Sequence, residues 1–129
     1  MKSENNSRCI PASAVHLLHR AGQCADELFS LNIGKSDLTP RQYMVLTAVS
    51  RSDDFSQTDL VDHTGIDRST LADIVRRLVA RGLIGRRRTR RDARKYEVRL
   101  TAAGRSALNA AIPASKATDD RLLAALPAG

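Results

Sequence analysis

The sequence predicts a mainly α fold with a small β-wing, a winged helix-turn-helix between an N-terminal and a C-terminal helix. Three observations point there. Apolar residues recur at three- and four-residue steps through most of the chain. Two short helical segments meet at Gly65. Directly after the second comes a basic run, Arg86 to Arg91, and then Tyr96, Val98 and Leu100 alternate with Glu97 and Arg99.

The elements follow in order. Val15, Leu17, Leu18, Ala21, Cys24, Ala25, Leu28 and Phe29 give a long amphipathic helix from Ala12 to about Leu31, ended by Asn32, Gly34 and Ser36. Thr39-Pro40-Arg41-Gln42 is a capping box with proline in the first turn, and it opens a helix carrying Tyr43, Val45, Leu46, Ala48 and Val49. That helix stops in the polar stretch Arg51-Ser52-Asp53-Asp54. Ser56-Gln57-Thr58-Asp59 starts a short helix to Thr64, which Gly65 breaks. Asp67 caps the next, with Leu71, Ile74, Val75, Leu78 and Val79 on one face and its end at Gly82. Leu60, Ile66, Leu71 and Ile74 are the expected inward anchors of a helix-turn-helix.

Two strands joined by a basic loop complete a wing, with Tyr96, Val98 and Leu100 expected on its buried side. Thr101 caps a last helix bearing Leu108 and Ile112, which Pro113 should kink or interrupt. Leu122, Leu123 and Leu126 form a final apolar patch.

Composition narrows the function. A chain of 129 residues with 42% hydrophobic content fits one domain and excludes a disordered polymer. No apolar run approaches the roughly 18 residues of a membrane span, and the polar start MKSENNSR leads into no signal-peptide core. Two cysteines make no secreted disulfide framework, so a reducing cytoplasm is expected. With no Trp, two Phe and two Tyr, the core must be aliphatic, and base-stacking recognition of single strands has too few aromatics.

Charge is distributed unevenly. Residues 1–75 hold seven basic and ten acidic side chains, whereas residues 76–105 hold twelve basic and two acidic. Charge for solubility can be scattered, but a one-sign cluster repels itself, and the usual compensation is a polyanion. The competing reading is a solvated face with no partner. For double-stranded DNA, the helix after Gly65 offers Arg68, Ser69, Thr70, Asp73, Arg76 and Arg77, and the wing offers Arg90, Arg91 and Arg94 for a minor groove.

At this point the chain resembles the MarR family of bacterial transcription regulators. Asp92-Ala93-Arg94-Lys95-Tyr96-Glu97-Val98-Arg99-Leu100-Thr101-Ala102-Ala103-Gly104 is similar to its wing signature, D-x-R-x-x-x-V-x-L-T-x-x-G. Leu78-Val79-Ala80-Arg81-Gly82-Leu83-Ile84 resembles its recognition-helix exit, and Leu38-Thr39-Pro40-Arg41-Gln42 its second-helix start. The resemblance spans residues 12–126. It implies a homodimer on an inverted-repeat operator: residues 12–34 and 101–129 as dimerisation helices, residues 38–100 as the DNA-binding lobe, and residues 1–129 as a single protomer.

It also implies a repressor released by a small effector, an aromatic or phenolic acid or an acyl thioester, or else by thiol oxidation. Asp92 is expected to pair with Arg94 and orient it. Members of that family continue into a full last helix that interlocks two subunits. This chain stops at Pro127-Ala128-Gly129, so either the sequence is shortened or the dimer relies on less surface.

His16, His19, Arg20 and Arg41 are candidates for a ligand pocket between the dimer interface and the DNA-binding lobe. As a metal site, His16 and His19 lack a third ligand, so neither metal nor cofactor is expected. Cys9 and Cys24 are the redox candidates. They are too far apart along a helix for an intrachain disulfide, at about 1.5 Å per residue. A bond between subunits or a sulfenic acid survives, against simple packing of Cys24; His63 reads as an exposed turn residue. No GxSxG elbow, P-loop, dinucleotide fingerprint or apolar carboxylate pair supports an enzyme. A sequence-tolerant architectural DNA binder is the other non-enzyme class, and a discrete operator footprint separates the two.

Overall fold

The computed structural model describes residues 13–89, 92 and 94–128. Ser13 accepts from the His16 amide and caps helix α1 (Ala14–Ile33), which ends in a 3-10 turn over Gly34–Ser36. Asn32 is therefore inside the helix rather than beyond it. Its side-chain amide donates to Thr118 Oγ1 at 3.2 Å, a tertiary contact that no local pattern announces.

Helix α2 (Pro40–Ser50) has the reciprocal capping box, Thr39 with Gln42, that the local chemistry requires. A two-residue strand β1 (Phe55–Ser56) leads straight into α3 (Gln57–Thr64), capped by Ser56 and Asp59. Gly65 closes α3 at φ 69°, a left-handed conformation that costs glycine little, and the chain re-enters helix as α4 (Arg68–Ala80) under the Asp67 cap.

Strands β2 (Ile84–Arg88) and β3 (Tyr96–Leu100) form the wing, and α5 (Ala102–Leu123) starts from Thr101. The sheet is antiparallel in the order β1-β3-β2. Its third strand, with Phe55 opposite Val98 and Ser56 opposite Glu97, was not expected. Two residues show no period of their own, and their partner lies about forty positions away. Tyr96 also departs from expectation. It is exposed at the outer end of β3, beneath the Arg88 guanidinium, while Val98 is fully buried.

Pro113 does not interrupt α5, which runs unbroken through it. Pro113 and Asn109, the residue whose carbonyl loses its partner, are both exposed, so water can satisfy that oxygen. The buried stripe of α5 is Gly104, Leu108, Ala111, Ala114 and Thr118, one side of the helix only.

The aliphatic core lies under the three-helix lobe and wing, with Val45, Leu46, Leu60, Leu71, Val75, Leu78, Ile84 and Val98 nearly or wholly inaccessible. Arg81 locks the exit of α4 to the α1–α2 joint: its guanidinium donates to the carbonyls of Asp37 and Ser36 and to Gln42 Oε1. By contrast α1 lies against α5 and buries only Phe29.

Gly104 is a packing requirement. A Cβ there would collide with the Leu83 carbonyl oxygen, which also accepts from the Thr101 amide. Gly104→Ala should lower stability by about 3 kcal/mol, because backbone must move and the gain in helix propensity is only about 1 kcal/mol. Thermal melting should fall by about 10 °C. An unchanged melting temperature would show that α5 slides freely on the wing.

Candidate nucleic-acid interface

Helix α4 buries Leu71, Ile74, Val75 and Leu78 and turns its other side outward. At its start the Asp67 carboxylate accepts from the Thr70 amide and the Ser69 hydroxyl, each at 2.9 Å. These bonds, Thr70 first, pull the Asp67 pKa down to about 2. The cap aligns the first turn, where Arg68 and Ser69 are exposed and Thr70 half-buried.

Farther along, Asp73 accepts from Arg76 through Oδ1 and from Arg77 Nε through Oδ2 at 2.8 Å. The Arg76 hydrogen bond, then the charges of Arg77 and Arg76, hold the Asp73 carboxyl below the usual range. Arg76 and Arg77 stay largely open to solvent.

The wing lies beside this face. Arg86, Arg87 and Arg88 leave β2 with their side chains exposed; Arg87 meets Glu97 at 3.3 Å and Arg88 lies 5.7 Å from the centre of the Tyr96 ring. Arg99 is drawn the other way, donating to the Asp53 carbonyl at 3.1 Å.

Asp92 does not pair with the Arg94 guanidinium as expected. Its Oδ1 accepts from the Arg94 backbone amide at 3.0 Å, and its backbone is tied to Thr89 and Lys95. A short side chain satisfies the nearest turn amide first, so Asp92 shapes the loop and leaves the Arg94 side chain exposed. Arg90 and Arg91 lie outside the described residues.

Behind the interface, between α1, α2, α5 and the end of α3, is a cavity of about 500 Å³. Its walls include Phe29, Tyr43, Met44, Arg51, His63 and Thr118. Phe29 and Tyr43 have ring centroids 5.6 Å apart. His63 lies in the last turn of α3 and is exposed, as expected, but it is helical rather than a turn residue and packs on Phe55 with ring centroids at 5.4 Å.

A model of the MarR family matches residues 36–95, from the α1–α2 joint through the wing. The HTH-type transcriptional repressor NicR of Pseudomonas putida is 33% identical over 126 residues, covering 98% of this chain and 80% of its own. The chain belongs to the MarR family. The transcriptional regulator HosA of Escherichia coli is 36% identical over 92 residues, 71% of this chain and 68% of its own. The solved structure of BpsR of Bordetella bronchiseptica, whose DNA binding is regulated by 6-hydroxynicotinic acid, superposes with a TM-score of 0.81 at 31% identity, covering 89% of this chain and 82% of BpsR.

As a MarR-type transcription regulator, the protein keeps its nominated helix residues together on α4 but divides its nominated pocket. His19 and Arg41 border a shallow groove with Val15 and Leu18, whereas His16 and Arg20 border another along α1 with Cys24. None of the four reaches the cavity between the helices. Arg51 and His63, which sequence reasoning passed over, do. Neither bears a local signal, because the wall is assembled from four separate helices. Cys24 is exposed rather than packed, and Cys9 lies outside the described residues. Among the described residues no helix is long and apolar enough to cross a membrane.

Proposed function

We propose that this MarR-family protein is a sequence-specific repressor that acts in the cytoplasm as a homodimer on an inverted-repeat operator and is released by a small aromatic acid. The observation that carries the reading is the pairing of two features: an outward α4 with a basic wing beside it, and a cavity whose wall includes the last turn of α3. Residues 38–100 form the DNA-binding lobe in this reading, α4 entering a major groove and Arg94 approaching a minor groove. Residues 12–34 and 101–129 supply the dimer contacts.

The cavity chemistry suits a planar acid. Phe29, Tyr43 and His63 offer ring faces, and Arg51 offers a fork of donors for a carboxylate. His63 and Thr64 stand immediately before Gly65, the joint into α4. A ligand wedged there presses on the helix-turn-helix from α1 and α5, so it shifts the α4 spacing only by binding one arrangement better than the other.

Because BpsR responds to 6-hydroxynicotinic acid, that compound is the first to test. A duplex selected from a randomised pool should be released as it is titrated. Arg51→Ala should weaken the response about tenfold or more without changing DNA affinity in its absence. Fluorescence anisotropy reads both. If 6-hydroxynicotinic acid and related hydroxylated aromatic acids at millimolar concentration leave the complex intact, the effector assignment is wrong.

A further inference from the structure

Asp73 stands out on the face of α4. At about 100° per residue, the buried set Leu71, Ile74, Val75 and Leu78 places Asp73 on the opposite side, near Arg76 and beside Arg77. A carboxylate at the middle of a surface for a polyanion opposes binding unless something repays it. Its two ion pairs do not, since exposed pairs of this kind add only a few tenths of a kcal/mol.

We infer that Asp73, held between Arg76 and Arg77, selects a C·G base pair in each half-site, the carboxylate accepting from cytosine N4 and an arginine donating to the paired guanine. This deepens the DNA reading proposed above and rests on it. The carboxyl is ionised, so it accepts and cannot donate. Guanine N7 and O6 and thymine O4 offer only acceptors to the major groove, and adenine sets its N7 acceptor beside its N6 donor. Cytosine alone among the four bases shows a donor with no acceptor on the same base beside it.

The arginines fit the other half of the pair. Arg77 is held through Nε, which leaves its terminal nitrogens free, and Arg76 is held through one Nη2. Each carboxylate oxygen has a second lone pair for the base. Asp73 thus presents an acceptor with donors beside it, the complement of cytosine N4 next to guanine O6 and N7.

The test is selection from a pool of randomised duplexes with the wild-type dimer, Asp73→Ala and Asp73→Asn, followed by titration of single-base variants. Wild type should enrich an inverted repeat with one C·G pair per half-site whose replacement costs about 5- to 150-fold in affinity. Asp73→Ala should lose discrimination at that pair and bind random duplex several-fold more tightly. Asp73→Asn should shift the preference there toward adenine, which an amide reads at N6 and N7.

If both variants enrich the same sequences with the same discrimination at every position, Asp73 reads nothing and the inference is overturned. If wild type itself enriches no inverted repeat, the underlying DNA reading falls, and the inference falls with it.

Discussion

Raising salt from 50 to 200 mM should weaken operator binding by about 10³–10⁵, provided the dimer neutralises roughly 6–10 phosphates. The estimate follows from which cations are free. Residues 76–105 carry twelve basic side chains, but Arg81 is spent on backbone carbonyls of the α1–α2 joint and Arg99 on Asp53 and Asp54. Arg87 is shared with Glu97. Arg86, Arg88 and Arg94 on the wing and Arg68 on α4 have exposed side chains suited to phosphates. Three to five contacts per protomer are therefore reasonable, which gives the doubled number for the dimer. Arg94→Ala should lower the slope of log affinity against log salt by about one for each protomer and weaken operator and random duplex by similar factors. Titrations at four salt concentrations would decide it, and a nearly flat response would remove the electrostatic reading.

How much of this was legible in sequence depends on the reach of each interaction. The caps at Thr39, Ser56, Asp67 and Thr101 were readable because the side chain bonds an amide three residues on. The anchors Leu60, Ile66, Leu71 and Ile74 were readable from period alone, and all are buried. The third strand was not, since Phe55 and Ser56 are defined by partners on β3. The continuity of α5 through Pro113 was not legible, because the cost of a helical proline depends on whether the freed carbonyl faces water. The cavity was hidden for a related reason: Phe29, Arg51, His63 and Thr118 come from four elements, and only packing brings them together. His16, His19, Arg20 and Arg41 looked grouped because three of them follow one another along a helix, yet that helix turns them into two grooves. At the wing, sequence suggested the Asp92–Arg94 partnership but not that the partner is the amide.

Changing Leu18 and Leu126 to Asp should convert the protein to monomers that keep their helical content and lose operator binding. Leu18 of α1 is 73% exposed and Leu126, just past the end of α5, 63% exposed in the isolated protomer, with Val15 and Leu31 of α1 and Leu123 of α5 similarly open. Fully covering one such side chain contributes about 1.5–3 kcal/mol, so a self-complementary contact that buries each of them twice has ample driving force. Two carboxylates facing two others across that contact would be both desolvated and mutually repelled. The fold should survive, because neither leucine belongs to the buried core under α4 and the wing. DNA binding should not survive. A dimer places its second α4 at a fixed distance from the first, and losing that tether forfeits about 10²–10⁴ in affinity without touching a single DNA contact. Sedimentation velocity at micromolar protein measures the assembly, and circular dichroism measures the helix content. A wild-type chain that sediments as a stable monomer would end the dimer hypothesis. A double variant that stays dimeric and bound would place the interface elsewhere than on α1 and the end of α5.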